Sequence, residues 1–189
     1  MLTAGIIGLG VGERFIQPLE EHPKVNLKSL CDFNKSKLNK IKANYPQKIV
    51  TDDNNIVLSD NEINFVAIAS YDNFHLDQII SALNNKKHVF VEKPISNSTD
   101  GIFDLISEAR QRNRIIQVGY NFRFQKGLIK MKKLLDDGQI GKVLWARAEY
   151  GQYLPDWRPE QDYRNTSYKA VVPVSYTHLR AHETLRYLV

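Results

Sequence analysis

Glu92-Lys93-Pro94 ends the apolar run Val89-Phe90-Val91, about 80 residues downstream of Gly8-Leu9-Gly10. A glycine pair after a short apolar segment lets the backbone turn sharply and approach a pyrophosphate, with the N–H groups of a following helix aimed at the phosphates. A lysine held beside an acid at a strand end is a positioned ammonium. It can donate to a hydroxyl or carbonyl oxygen and stabilise alkoxide character during hydride transfer. The alternative for Glu92 and Lys93, a surface salt bridge, is disfavoured by the apolar strand that leads into them. Pro94 fixes the backbone behind the pair. The expected catalytic residues are therefore Lys93 and Glu92.

The remaining candidates flank the same chemistry. Gly12, the third glycine, stands one position earlier than in the usual spacing, with Glu13 in its place, which fits a turn shorter by one residue. Asp32 lies 22 positions beyond Gly10, close to the spacing of an acid that accepts from the adenosine ribose hydroxyls. That favours NAD. Lys35 and Lys37 follow it and are suited to a 2′-phosphate, so NADP stays open, and Asp32 also fits a helix cap. Ser70 and Tyr71 follow another apolar strand and are expected to wall the cofactor cleft. His75 is grouped with them, although a helix start disfavours a protonated ring and a structural role weighs more.

These residues need a frame in which strand ends converge. Ala4 to Ile7, Val25 to Cys31, Lys48 to Val50, Ile63 to Ala69, His88 to Val91 and Ile115 to Val118 read as strands. Between them, Val11 to Glu21, Lys35 to Tyr45, a segment capped by Asp72 or Asn73 and running through Leu83, and Thr99 to Arg112 read as helices. Strands alternating with helices imply an α/β fold with a doubly wound parallel sheet of Rossmann type. Right-handed crossovers place every strand C-terminus on one rim.

After Tyr120 the rhythm changes. Gln125 to Leu135 reads as an amphipathic helix and Val143 to Tyr150 as a strand of a new sheet, so the expected domains are 1–121 and the start of an α+β domain at 122–173. Tyr120, Arg123, Tyr153, Trp157, Arg158, Tyr163 and Arg164 form a candidate substrate surface, with aromatic faces for sugar rings and arginines for carboxylate or phosphate. Interdomain packing explains them equally well. From Val174 on, the chain resembles one reading frame of a transposon-type sequencing-library adapter, so residues 174–189 are read as foreign and the genuine chain as cut near Val172. His178 and His182, spaced like a helical zinc pair, fall in that tail, and no metal site is expected.

Composition excludes several classes. The chain has 189 residues, 42% of them apolar, enough for a core. No apolar run reaches the roughly 20 residues of a membrane span. The single cysteine, Cys31, excludes an internal disulfide and suits a reducing cytoplasm. The net charge of +5 is spread along the chain. Its densest cluster, Lys126, Lys130, Lys132 and Lys133, reads as a solvated helix face rather than a nucleic-acid surface.

The set Gly8-Leu9-Gly10-Val11-Gly12, Asp32, Ser70 to His75, Glu92-Lys93-Pro94, and Gly119-Tyr120 with Arg123-Phe124 resembles the Gfo/Idh/MocA family of NAD(P)-dependent oxidoreductases. The resemblance implies a Rossmann domain followed by a domain with a large open sheet, and oxidation or reduction of a hydroxyl-bearing carbon in sugars, cyclitols and related compounds. It implies cofactor contacts from Gly8, Gly10, Asp32 and Ser70, an active-site pair in Glu92 and Lys93, and a homo-oligomeric parent assembled through the C-terminal sheet. The family's Asp-x-x-x-His element has no counterpart between Asn121 and Val172. Two further classes stay open: a glycoside hydrolase of the same fold that uses NAD transiently, and a non-catalytic NAD-binding regulator. The intact Glu92-Lys93 argues against the regulator.

Overall fold

The computed structural model describes residues 1–149. The chain divides into two compact units, the first Met1–Tyr120 and the second beginning at Asn121. In the first unit six strands form one sheet: β1 (Leu2–Ile7), β2 (Val25–Cys31), β3 (Ile49–Thr51), β4 (Phe65–Ile68), β5 (His88–Val91) and β6 (Ile116–Val118). Their order is β3-β2-β1-β4-β5-β6 and every pairing is parallel. The strand order reverses between β1 and β4, which opens a crevice at their C-terminal ends, the place where ligands bind in open α/β sheets.

Both sheet faces are covered, and the strands alternate between two cores. Ile6, Leu30 and Ala67 pack with Ile16, Leu38 and Ile41, from helices α1 (Ile16–Glu21) and α2 (Lys35–Asn44). Their strand neighbours Ile7, Cys31, Val66 and Ile68 pack on the other face with Val57, Ile79, Leu83 and Leu105. Those come from α3 (Asn54–Ser59), α4 (Asp72–Asn84) and α5 (Ile102–Gln111). Burial on both faces explains why β4 reads as an unbroken apolar run.

Several elements differ from the sequence expectation. The first helix is split: Gly12–Phe15 is a 3-10 turn and α1 begins only at Ile16. Pro18 sits in the first turn of α1, where its missing N–H costs no intrahelical bond. The helix α3 is additional. It is only six residues long, capped by the Asp53 side chain accepting from the Asn55 N–H. The cap of α4 is Tyr71, and neither Asp72 nor Asn73 takes that place. Gly101, at a left-handed φ of 72°, delays α5 to Ile102.

In the second unit, a 3-10 turn (Asn121–Phe124) precedes α6 (Lys126–Asp136). The expected strand from Val143 is not formed over residues 143–149, because a strand needs a hydrogen-bonded neighbour and the described residues of this unit contain no second strand.

Candidate functional site

The rim of the first unit collects the ends of β1, β2, β4 and β5. Gly8 leaves β1 with φ of +88°, a conformation open to glycine, and its N–H donates to the Cys31 carbonyl. A Cβ on Gly8 would overlap the backbone of Ala69 and Ser70. The turn is therefore pressed against the end of β4. Gly12 is a second close approach: a Cβ there would stand 3.1 Å from the Ala69 Cβ and from Ile6. The early third glycine thus seats the 3-10 turn directly on the sheet. At Gly10 an added Cβ meets nothing within 4 Å. The turn is open on its outer side, the approach a pyrophosphate needs, so these residues fit a dinucleotide.

Asp32 stands one residue past β2 and is buried to 6% exposure. One carboxylate oxygen, Oδ2, accepts from the Leu9 N–H at 2.7 Å, and Oδ1 accepts from the Asn34 N–H at 2.8 Å. A carboxylate offers about four acceptor positions, so acceptors remain for two ribose hydroxyls. Lys37 does not stand ready for a 2′-phosphate: its Nζ donates to the Leu9 carbonyl at 2.9 Å. Lys35 is 84% exposed and 3.9 Å from Asp52. The Leu9 backbone is thus held on both sides, its N–H by a carboxylate and its carbonyl by an ammonium.

Past β4, the Ser70 hydroxyl donates to Gln78 Oε1 at 2.6 Å. His75 is fully buried on α4. Its Nδ1 lies 2.7 Å from the Pro94 carbonyl and its Nε2 lies 3.1 Å from the Ser70 carbonyl. The buried ring thus stands between two rim loops, the one after β4 and the one after β5. Gln78 lies outside the set expected from sequence. Its signal is the spacing of polar residues 75 and 78 on the face of α4 that also presents Ile79 and Ala82 to the core.

Past β5, the Glu92 N–H donates to the Ile68 carbonyl at 2.8 Å, which extends the sheet by one residue and sets the half-buried carboxylate on the rim. The Lys93 N–H reaches Glu92 Oε2 at 3.3 Å, and the Lys93–Pro94 peptide is cis. Lys93 and Pro94 are exposed. Gly8, Gly10, Gly12, Asp32, Ser70, Tyr71, Glu92, Lys93 and Pro94 therefore share one rim. Tyr120 is exposed just past β6. Arg123 is exposed within the second unit. Tyr153, Trp157, Arg158, Tyr163 and Arg164 lie outside the described residues. No group of acidic, histidine or cysteine side chains suited to a metal occurs among the described residues, and no described helix is long and apolar enough to cross a membrane.

Comparison with known proteins finds the same fold in a family of oxidoreductases. A family model described as "Oxidoreductase family, NAD-binding Rossmann fold" matches residues 2–120. The chain is 30% identical over 141 residues to the uncharacterised oxidoreductase YrbE of Bacillus subtilis, covering 74% of this chain and 41% of that protein. It is 28% identical over 167 residues to the inositol 2-dehydrogenase of Salmonella typhimurium, covering 85% of this chain and 49% of that one. In structure it resembles the scyllo-inositol dehydrogenase of Lactobacillus casei, solved with NAD(H) and scyllo-inositol. There the TM-score is 0.69 at 31% identity, covering 76% of this chain and 43% of the other. The chain thus spans a little under half the length of the relatives it matches.

Proposed function

Because the chain belongs to the Gfo/Idh/MocA oxidoreductase family, whose Rossmann fold binds NAD, we propose that it supplies the cofactor half of an enzyme acting on a cyclitol, sugar or sugar nucleotide. That enzyme transfers a hydride between nicotinamide and a hydroxyl-bearing carbon. The observation that carries this reading is the shared rim, where an open glycine turn, a buried ribose-type acid and Glu92-Lys93 stand at adjacent strand ends. When bound, the nicotinamide supplies or takes the hydride.

The chain's own residues divide the remaining work. Asp32 accepts from the ribose hydroxyls while holding the Leu9 N–H. Gly8 and Gly10 keep the turn low enough for the pyrophosphate. Ser70 and Tyr71 wall the cleft. Lys93, beside Glu92, donates to the substrate oxygen that gains negative charge as the hydride moves. The Lys37–Leu9 bond commits one of the two nearby cations to the protein, which favours NAD over NADP.

In this reading residues 1–121 are the cofactor domain, residues 122–173 begin a substrate domain through which the enzyme forms homo-oligomers, and residues 174–189 are foreign sequence. The enzyme works in the cytoplasm. Titration of the 189-residue chain with NADH and NADPH, followed by nicotinamide fluorescence, tests the cofactor half. Tighter binding of NADPH refutes the preference, and no binding of either refutes the reading. Oxidation of myo-inositol or scyllo-inositol by the whole enzyme, with accumulation of NADH, tests the substrate class.

A further inference from the structure

Gly119 stands one residue past β6, as Glu92 stands one residue past β5. The two strands pair in parallel, with Val91 opposite Val118, and the Gly119 N–H donates to the Val91 carbonyl at 2.8 Å. Side chains alternate along a strand, so Phe90 and Glu92 rise from the same face of β5. Gly119 lies beside both. A Cβ there would stand 3.1 Å from Phe90 Cζ, 3.3 Å from Glu92 Oε1 and 3.4 Å from Glu92 Cδ. The backbone at Gly119 does not have a positive φ, so conformation does not call for glycine at this position. The space taken by the Glu92 carboxylate does. That carboxylate lies against Gly119 through Oε1, while Oε2 accepts from the Lys93 N–H at 3.3 Å.

We propose that Gly119 is a positioning residue for the Glu92–Lys93 pair. Its missing side chain is the seat of the Glu92 carboxylate, and the seated carboxylate holds the Lys93 backbone at the rim. This rests on the reading above in which that pair serves hydride transfer. Two neighbours stand in the way of a methyl group at position 119, and they are unequal. The Phe90 ring is braced edge-on against Phe15, with centroids 5.3 Å apart and an interplanar angle of 82°. Both rings also pack against the core that α1 and α2 cover. The Glu92 carboxylate is only half-buried and has solvent to turn into. Carbon atoms in contact prefer about 3.5–4.0 Å. A methyl group pressed by the braced ring therefore displaces the carboxylate, which gives up the Lys93 N–H. Misplacing a reacting group by about 1 Å is enough to cost up to roughly 100-fold in rate.

The test pairs a spectroscopic readout on the 189-residue chain with kinetics of the whole enzyme. In amide proton–nitrogen correlation spectra, the Lys93 amide proton should move upfield in Gly119→Ala, toward its position in Glu92→Ala, while the amides of β1 and β4 stay in place. A Lys93 amide that does not move overturns the proposal. So does a general shift of the sheet amides, since the strand and not the carboxylate would then have yielded. With myo-inositol and NAD, Gly119→Ala should lower kcat roughly tenfold or more and leave the Kd for NADH largely unchanged. The double variant Gly119→Ala/Glu92→Ala should be no slower than Glu92→Ala alone, because the methyl group acts only through the carboxylate. Additive losses overturn the positioning role, since an independent structural defect would add. Wild-type turnover in Gly119→Ala beside an impaired Glu92→Ala also overturns it and leaves the reading of the pair standing. Normal turnover in Glu92→Ala overturns that reading itself, and the positioning role with it.

Discussion

The Leu9 N–H donates to Asp32 Oδ2 over 2.7 Å, in a place where both residues are buried. The acid expected to read a ribose is therefore also the acid that holds the glycine turn in shape. Shape and recognition cannot be separated by a simple deletion. Asp32→Ala removes an acceptor from a buried N–H, which costs about 1–3 kcal/mol, and removes the ribose contact as well. The expected outcome is a lower urea midpoint together with weaker NADH binding and a narrower preference over NADPH. Asp32→Asn keeps an acceptor for Leu9 and should restore most of the stability but not the preference.

Lys93 is expected to act on the chemical step. In the whole enzyme, Lys93→Ala should lower kcat by roughly 100-fold, the scale of losing one donor to a developing oxyanion. The Kd for NADH should change far less. Stopped-flow measurement of hydride transfer separates the two, and near-normal turnover would exclude the role.

Gly8→Ala tests the turn. Its positive φ disfavours any side chain, and a Cβ would overlap the Ala69–Ser70 backbone. The combined penalty should exceed about 2 kcal/mol. Circular dichroism melts should show a clear drop. A melt equal to the wild type would mean that β1 and β4 separate more easily than their contact implies.

Cys31 should be inert. It is 3% exposed, and burial above all, with Asp32, Asp53 and Asp52 adding repulsion, pushes its thiol up to about 12. Thiolate is the reactive form, so thiol reagents at pH 8 should label the chain only under denaturing conditions. Rapid labelling in the native state would place the end of β2 in solvent.

His88 should give the fold a mild acid sensitivity. Its pKa is lowered, chiefly by burial and then by the nearby Arg114, and its Nδ1 accepts from the Ile115 N–H at 3.2 Å. The folded state binds the proton more weakly than the unfolded state, so the contribution is fully present above the ordinary value of 6.5 and is lost as pH falls below it through the lowered folded-state value. Urea midpoints should fall between pH 7.5 and 5.5, and His88→Asn should flatten that dependence.

The sequence is legible where one physical cause acts alone. Runs such as Phe65-Val66-Ala67-Ile68 read as buried strands because both their faces are covered, and Asp32 stands out by its distance from the glycine turn. The helix α3 is not legible. Ile56-Val57-Leu58 carries no helical period over six residues, and its cap and its packing against β1 decide the matter. Sequence places His75 near the rim but gives no sign of its neighbour 19 positions on, since only the folded chain brings the Pro94 carbonyl to its ring. Lys37 resembles a phosphate ligand by its proximity to Asp32. Its ammonium turns instead to a backbone carbonyl 28 positions away. Long-range backbone acceptors of this kind leave no pattern in the local sequence.

The placement of β1 at the centre of the sheet has a consequence for synthesis. Ala4 is paired on one side with Leu27 and on the other with Phe65. At roughly 5–20 residues per second, a ribosome needs about 3 to 12 s to make the 61 positions between Ala4 and Phe65. During that interval the nascent β1 can dock on β2 but has one naked edge, and the Ala69 backbone that presses on Gly8 does not yet exist. The glycine turn is therefore completed late, by the fourth strand, although its glycines are among the first residues made.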